Sequence, residues 1–169
     1  MKNLFYFLMI LPLFSLTGCE DDDNKPTNPI DQLPPATQTG ANTFGCLING
    51  EVMIPNNSMY MSAIYQGGGV QISGETNKNG ISQSILITVL EPFTINQTYS
   101  LTNKARFIKY SEENTCYYDF EHCYEGNVKF TKIDQVNYII SGTFEFSTVN
   151  DECEVVHITD GRFDMRYIP

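Results

Sequence analysis

The chain predicts an all-β domain, an antiparallel meander of about nine to eleven short strands, barrel-like or stacked as a sandwich. Three observations lead there. From residue 44 onward no segment sustains the apolar spacing that an amphipathic helix requires. Short runs rich in Val, Ile, Thr, Phe and Tyr instead alternate with turn residues at close spacing. Several of those runs also alternate apolar with polar residues at a period of two, the mark of strands with one inward face.

Taken in order, residues 44–48 and 51–54 flank Asn49-Gly50, a pair that favours the type I′ hairpin. Gly67-Gly68-Gly69 separates 59–65 from 70–76 as a hairpin tip, and residues 77–80 lead into 81–91. Within that strand residues 84–90 are nearly continuous in apolar character, which predicts cover on both faces. Residues 128–133, the turn 134–137 and residues 138–149 read as a long hairpin. Tyr138, Ile140, Gly142, Phe144 and Phe146 share one face of it; Ser141, Thr143, Glu145 and Ser147 share the other. The last strand sets Phe163, Met165 and Tyr167 against Arg162, Asp164 and Arg166. Asp160-Gly161 before it reads as a bulge or turn, and Asp164 as a carboxylate neutralised by its two arginine neighbours.

The N-terminal part has a different character. Residues 4–16 are an apolar run that would rise about 20 Å as a helix, short of the ~30 Å bilayer core. That makes the run the core of a signal peptide, 1–18, and not a span. The run ends in Leu16-Thr17-Gly18-Cys19, which resembles a bacterial lipoprotein signal with Cys19 the lipid-bearing residue. The resemblance implies cleavage before Cys19 and acylation of its sulfur and amine. At ~0.8 kcal/mol per buried methylene, several chains anchor stably to a membrane. Glu20, Asp21, Asp22 and Asp23 follow at once and resemble the export signal of surface-exposed lipoproteins in the Bacteroidota. Residues 19–43 are rich in Pro and Asp and poor in large apolar side chains, so they read as a disordered tether that holds the body off the membrane.

The body, 44–169, is one domain's worth of chain. Its fifteen acidic and eight basic residues give a formal −7. That charge disfavours nucleic acid and leaves glycans, peptides, small molecules, cations and envelope proteins as partners.

With Cys19 set aside, four cysteines remain in an exported chain, an even number suited to disulfides. Cys116 and Cys123 bracket a short loop, which favours local pairing and leaves Cys46 to pair with Cys153. The alternative makes Cys46 a buried free thiol. Cys116, His122 and Cys123 do not have a recognised zinc spacing, so neither metal nor cofactor is expected.

The sequence lacks a Gly-x-Ser-x-Gly elbow, a His-Glu-x-x-His pair and a phosphate-cradling loop. His122 and His157 have no motif partner, so no catalytic residue is assigned. Glu112, Glu113, Asp119, Glu121 and Glu125 form an acidic patch that reads as a solvated face. Tyr117, Tyr118, Phe120 and Tyr124 cluster beside it. They are candidate ligand contacts, because amphipathic rings held on a rigid loop suit glycan or protein; the alternative is that alternate members pack inward.

Three segments carry a wider resemblance: 33–50, 141–146 (Ser-Gly-Thr-Phe-Glu-Phe) and 158–164 (Ile-Thr-Asp-Gly-Arg-Phe-Asp). On these the chain resembles an uncharacterised family of lipoproteins common in the Bacteroidota. That resemblance implies location and an all-β body and supplies no catalytic residues. The leading expectation is therefore an outer-membrane, surface-facing lipoprotein with a non-enzymatic binding domain. The alternatives are a barrel-type carrier of an apolar ligand, with a cavity lined by Phe107, Phe130, Tyr138, Phe144 and Phe163, and an envelope hydrolase using paired carboxylates.

Overall fold

A computed structural model describes residues 28–90 and 94–169. The signal 1–18, Cys19 and the acidic run Glu20, Asp21, Asp22 and Asp23 lie outside the described residues. Among the described residues there are eleven strands: β1 (Thr43–Ile48), β2 (Glu51–Met53), β3 (Met61–Gln66), β4 (Gly69–Lys78), β5 (Ile81–Leu90), β6 (Thr98–Ser100), β7 (Ala105–Tyr110), β8 (Thr115–Tyr118), β9 (Cys123–Asp134), β10 (Ile139–Asn150) and β11 (Cys153–Arg166). They form two antiparallel sheets, β2-β1-β11-β10-β9-β6 and β3-β4-β5-β7-β8. The result is a sandwich and not a closed barrel. Meander runs are local, β3-β4-β5 and β9-β10-β11, and the first long strand pairs with the last.

Turn chemistry sets the hairpins. Asn49 and Gly50 both take positive φ, as do Asn79 and Gly80 between β4 and β5. Two successive positive φ values define the type I′ turn, whose twist matches that of the flanking strands. Asp160 also has positive φ, at a point where β11 shifts register against both β1 and β10, so Asp160-Gly161 is a bulge. Gly161 packs so closely on Phe144 that a Cβ would sit 2.5 Å from the Phe144 carbonyl oxygen.

The core lies between the sheets. Phe44, Phe107, Phe130, Phe144 and Phe163 are at most 3% exposed. Their rings meet: Phe44–Phe144 centroids are 5.3 Å apart, Phe144–Phe163 6.3 Å and Phe130–Phe163 6.2 Å. β5 corrects one expectation. Ile85, Ile87 and Val89 are buried, but Ser84, Leu86 and Thr88 are only half-buried. Among the described residues no layer packs on the five-stranded sheet from outside, so its outer face is uncovered.

Sheet edges are short or covered, which limits edge-to-edge pairing. β2 and β6 have three residues each and β8 four. β3 is covered by the C-terminus, where the Tyr65 amide donates to the Ile168 carbonyl at 2.8 Å and the Ile168 amide to the Ala63 carbonyl at 2.9 Å.

The segment expected to be a disordered tether is in part ordered. Residues 29–32 form a 3-10 helix capped by Asn28, and Leu33 is buried. Pro34 packs on Gly45, where a Cβ would sit 2.8 Å from its Cδ. Residues 37–41 then cross the outer face of the six-stranded sheet and enclose Asp164, which is wholly buried. Its carboxylate accepts six hydrogen bonds. They come from the Thr37 hydroxyl (2.6 Å), the Thr39 amide (2.9 Å) and hydroxyl (3.2 Å), the Gly40 amide (2.8 Å), the Ala41 amide (3.2 Å) and the Ser141 hydroxyl (2.7 Å). Successive amides converging on one anion make a backbone nest, here with a side-chain carboxylate as the anion. Gly40 has positive φ, the conformation such a nest needs. Burial pushes the Asp164 carboxyl up, but the Thr37 and Ser141 hydroxyls and the Thr39 and Gly40 amides together outweigh it. The group is held well below the usual carboxylate range.

Arg162 and Arg166 are therefore not its partners. The Arg162 Nε donates to the Asp160 carbonyl, and the Arg166 side chain is exposed. The strap, residues 28–42, is further fixed by Lys132 Nζ donating to the Gln38 carbonyl at 3.0 Å. The Arg166 amide donates to Asn42 Oδ1, also at 3.0 Å.

Candidate functional site

The cysteines pair differently from expectation. The disulfide joins Cys116 to Cys153, with Cα atoms 6.0 Å apart, and Cys46 and Cys123 are free and buried. The reason is topological. After β8 a 3-10 turn, Phe120–His122, carries the chain into the other sheet, where Cys123 is wholly buried in the core, whereas Cys116 on the edge strand β8 and Cys153 at the start of β11 are only half-buried. The Cys123 thiol donates to the Leu101 carbonyl at 3.1 Å, while Cys153 opens β11 beside β8. Cys46 sits mid-strand between β2 and β11, and burial pushes its thiol far up. The disulfide thus ties the edge of the five-stranded sheet to the end of the six-stranded one.

The four aromatic candidates divide. Tyr118 points inward, is 1% exposed, and donates its hydroxyl to the Glu154 carbonyl at 2.6 Å. Tyr124 is exposed on β9, in the other sheet. Tyr117 and Phe120 come together around a residue that sequence reading missed, Arg106. Its guanidinium lies 5.9 Å from the Tyr117 ring centroid and 5.6 Å from that of Phe120. One of its Nη atoms donates to the Tyr117 hydroxyl at 3.3 Å. The pairing of β7 with β8 places Ile108 directly opposite Tyr117, and β5 places Leu86 opposite Arg106. Tyr110 stands on the same outer face and is 53% exposed. This half of the sheet is an apolar and aromatic platform with one fixed guanidinium. The β3–β4 side is polar, with Ser62 of β3 bonded to Ser73 of β4 and Glu75 of β4 accepting from Ser82 at the start of β5. The signal for Arg106 was available in the alternation of β7, where it shares a face with Ile108 and Tyr110.

The other candidates do not assemble into a site. Asp119 caps the 3-10 turn, accepting from the Phe120 amide at 2.9 Å, and its own amide donates to His122 Nδ1 at 3.0 Å. Glu112 and Glu113 lie in the β7–β8 connection and Glu125 on β9. Among the described residues no three His, Cys, Asp or Glu side chains converge as metal ligands. His157 Nδ1 and the Ser147 hydroxyl are 3.0 Å apart, a part-buried cross-strand pair between β10 and β11. Phe107, Phe130, Phe144 and Phe163 are buried in the core between the sheets, and Tyr138 is 46% exposed at the sandwich end against Tyr167.

Among the described residues no helix is long and apolar enough to cross a membrane. No curated protein and no solved structure matches the chain. The family model of DUF6252, a domain of unknown function, matches residues 49–165, so the chain belongs to that family.

Proposed function

We propose that this DUF6252 member is an outer-membrane lipoprotein, anchored through acyl chains on Cys19 and facing the cell surface. Its sandwich is a non-enzymatic module that docks an acidic segment of another envelope protein on the outer face of β5, β7 and β8. The observation that carries this reading is Arg106 held between Tyr117 and Phe120 on a bare sheet face. Tyr and Arg dominate interface hot spots, and a guanidinium already fixed by two rings loses little freedom on meeting a carboxylate. The strap occupies the opposite outer face, so the platform points away from the side where the chain's N-terminal part is fastened.

The test is site-specific photocrosslinking of the full chain in an envelope. A crosslinker at Tyr110 is expected to give a discrete protein adduct that Arg106→Ala removes; one at Asn127 is expected to give none. Cys19→Ser is expected to release the protein from membranes. Equal adducts at both positions, or membrane partition unchanged by Cys19→Ser, would contradict the proposal.

A further inference from the structure

We propose a second site, a cleft between the sheets at the β4–β5 turn that binds a carboxylate-bearing saccharide. The cleft has a volume of about 570 Å³. Small-molecule sites typically measure about 300–1,000 Å³. One wall consists of positions that point inward on their strands. Ile72, Ile85 and Phe107 are inward and wholly buried. Farther along the same faces the residues become Thr76, Gln83 and Lys109, and Lys78 follows Thr76. The core stops at Phe44, whose ring lies against Gly74 so closely that a Cβ there would be 2.4 Å away. At this open end of the sandwich Ile81 and Val52 also line the cleft, and the polar side chains at inward positions offer hydrogen bonds to a polar occupant.

The opposite wall is the β1–β2 turn with Glu51 and the 3-10 helix of the strap with Gln32. In a body of net negative charge, this cleft holds two lysines against one carboxylate. Lys109 also lies 3.6 Å from Glu154, but both side chains are well exposed and such a pair is weak. An ammonium is a point charge suited to a carboxylate, and the Gln32 and Gln83 amides and the Thr76 hydroxyl can both donate to and accept from sugar hydroxyls. Among the described residues no aromatic ring lines the cleft, so recognition there rests on charge and hydrogen bonds.

The site is independent of the Arg106 platform, none of whose residues lines it. Calorimetric titration of the full chain in detergent micelles with a galacturonic acid trisaccharide, a galactose trisaccharide and acetate tests it. The acidic trisaccharide is expected to bind at least about tenfold more tightly than the other two. Lys78→Gln and Lys109→Gln are each expected to weaken it about tenfold, with Tyr117→Ala unchanged. No binding of the acidic trisaccharide, equal binding of the neutral one, or indifference to both lysine variants would overturn the proposal. Acetate binding as tightly would show a general anion site and overturn the saccharide assignment. Failure of the platform reading would appear only in the crosslinking.

Discussion

On the outer face of the six-stranded sheet Asp164 is wholly buried beneath residues 37–41, whereas on the outer face of the five-stranded sheet Tyr117 keeps 44% of its surface exposed. Both residues occupy outward positions of strands with regular alternation. The difference lies in what each can recruit. A carboxylate needs donors, and three successive amides supply them at the cost of ordering a segment of chain. Tyr117 and Arg106 satisfy one another across two strands and leave the face open. One side of the sandwich is therefore fastened and the other is presented.

The sharpest way to break the comparison is to remove the anion. Asp164→Ala leaves the amides of the strap and the Ser141 hydroxyl without an acceptor, and is expected to cost about 3–5 kcal/mol in denaturant unfolding. A loss below about 1 kcal/mol would mean that the strap is not held by this residue. Acid performs the same experiment without mutation. The folded Asp164 carboxyl lies below its unfolded value, so its contribution is fully present above the unfolded pKa, about 4. It is lost as pH falls from there through the folded value. Unfolding measured against pH is expected to show declining stability below about pH 4, and Asp164→Asn to flatten part of that decline.

The two sides are joined covalently, since Cys116 stands on β8 with Tyr117 and Cys153 on β11 with Asp164. Replacing both cysteines by serine is expected to cost about 2–4 kcal/mol. Amide exchange should rise along β8 and remain unchanged at residues 39–41; a rise at the strap instead would show that the fastened side depends on the bridge. The smallest expected effect is at the presented side. Arg106→Ala should shift stability by less than about 1 kcal/mol, because its contacts are exposed. A larger loss would make Arg106 a structural residue.

Much of the sandwich was legible in the sequence, because its signals are local. Asn49-Gly50 requires two positive φ values, and the alternation at Phe163, Met165 and Tyr167 follows from the pleat. The strap was not legible. Residues 34–42 are small, polar or proline, and their order depends on a carboxylate 123 to 127 residues away. Asp164 was read against its sequence neighbours Arg162 and Arg166, although its donors arrive from another part of the chain. The same locality misled the cysteine pairing, since a three-residue 3-10 turn sends Cys123 into the core and the partner of Cys116 arrives 37 residues along the chain. Tyr117 and Phe120 were visible as aromatics, but the guanidinium that unites them lies on a neighbouring strand.

The most direct test of the fastened side is residue-resolved hydrogen exchange at Thr39, Gly40 and Ala41. Their amides are expected to be protected to nearly the same free energy as Phe107 and Ile140 in the core, and to lose that protection in Asp164→Ala. Exchange at the rate of an open loop in the unmodified protein would contradict the account.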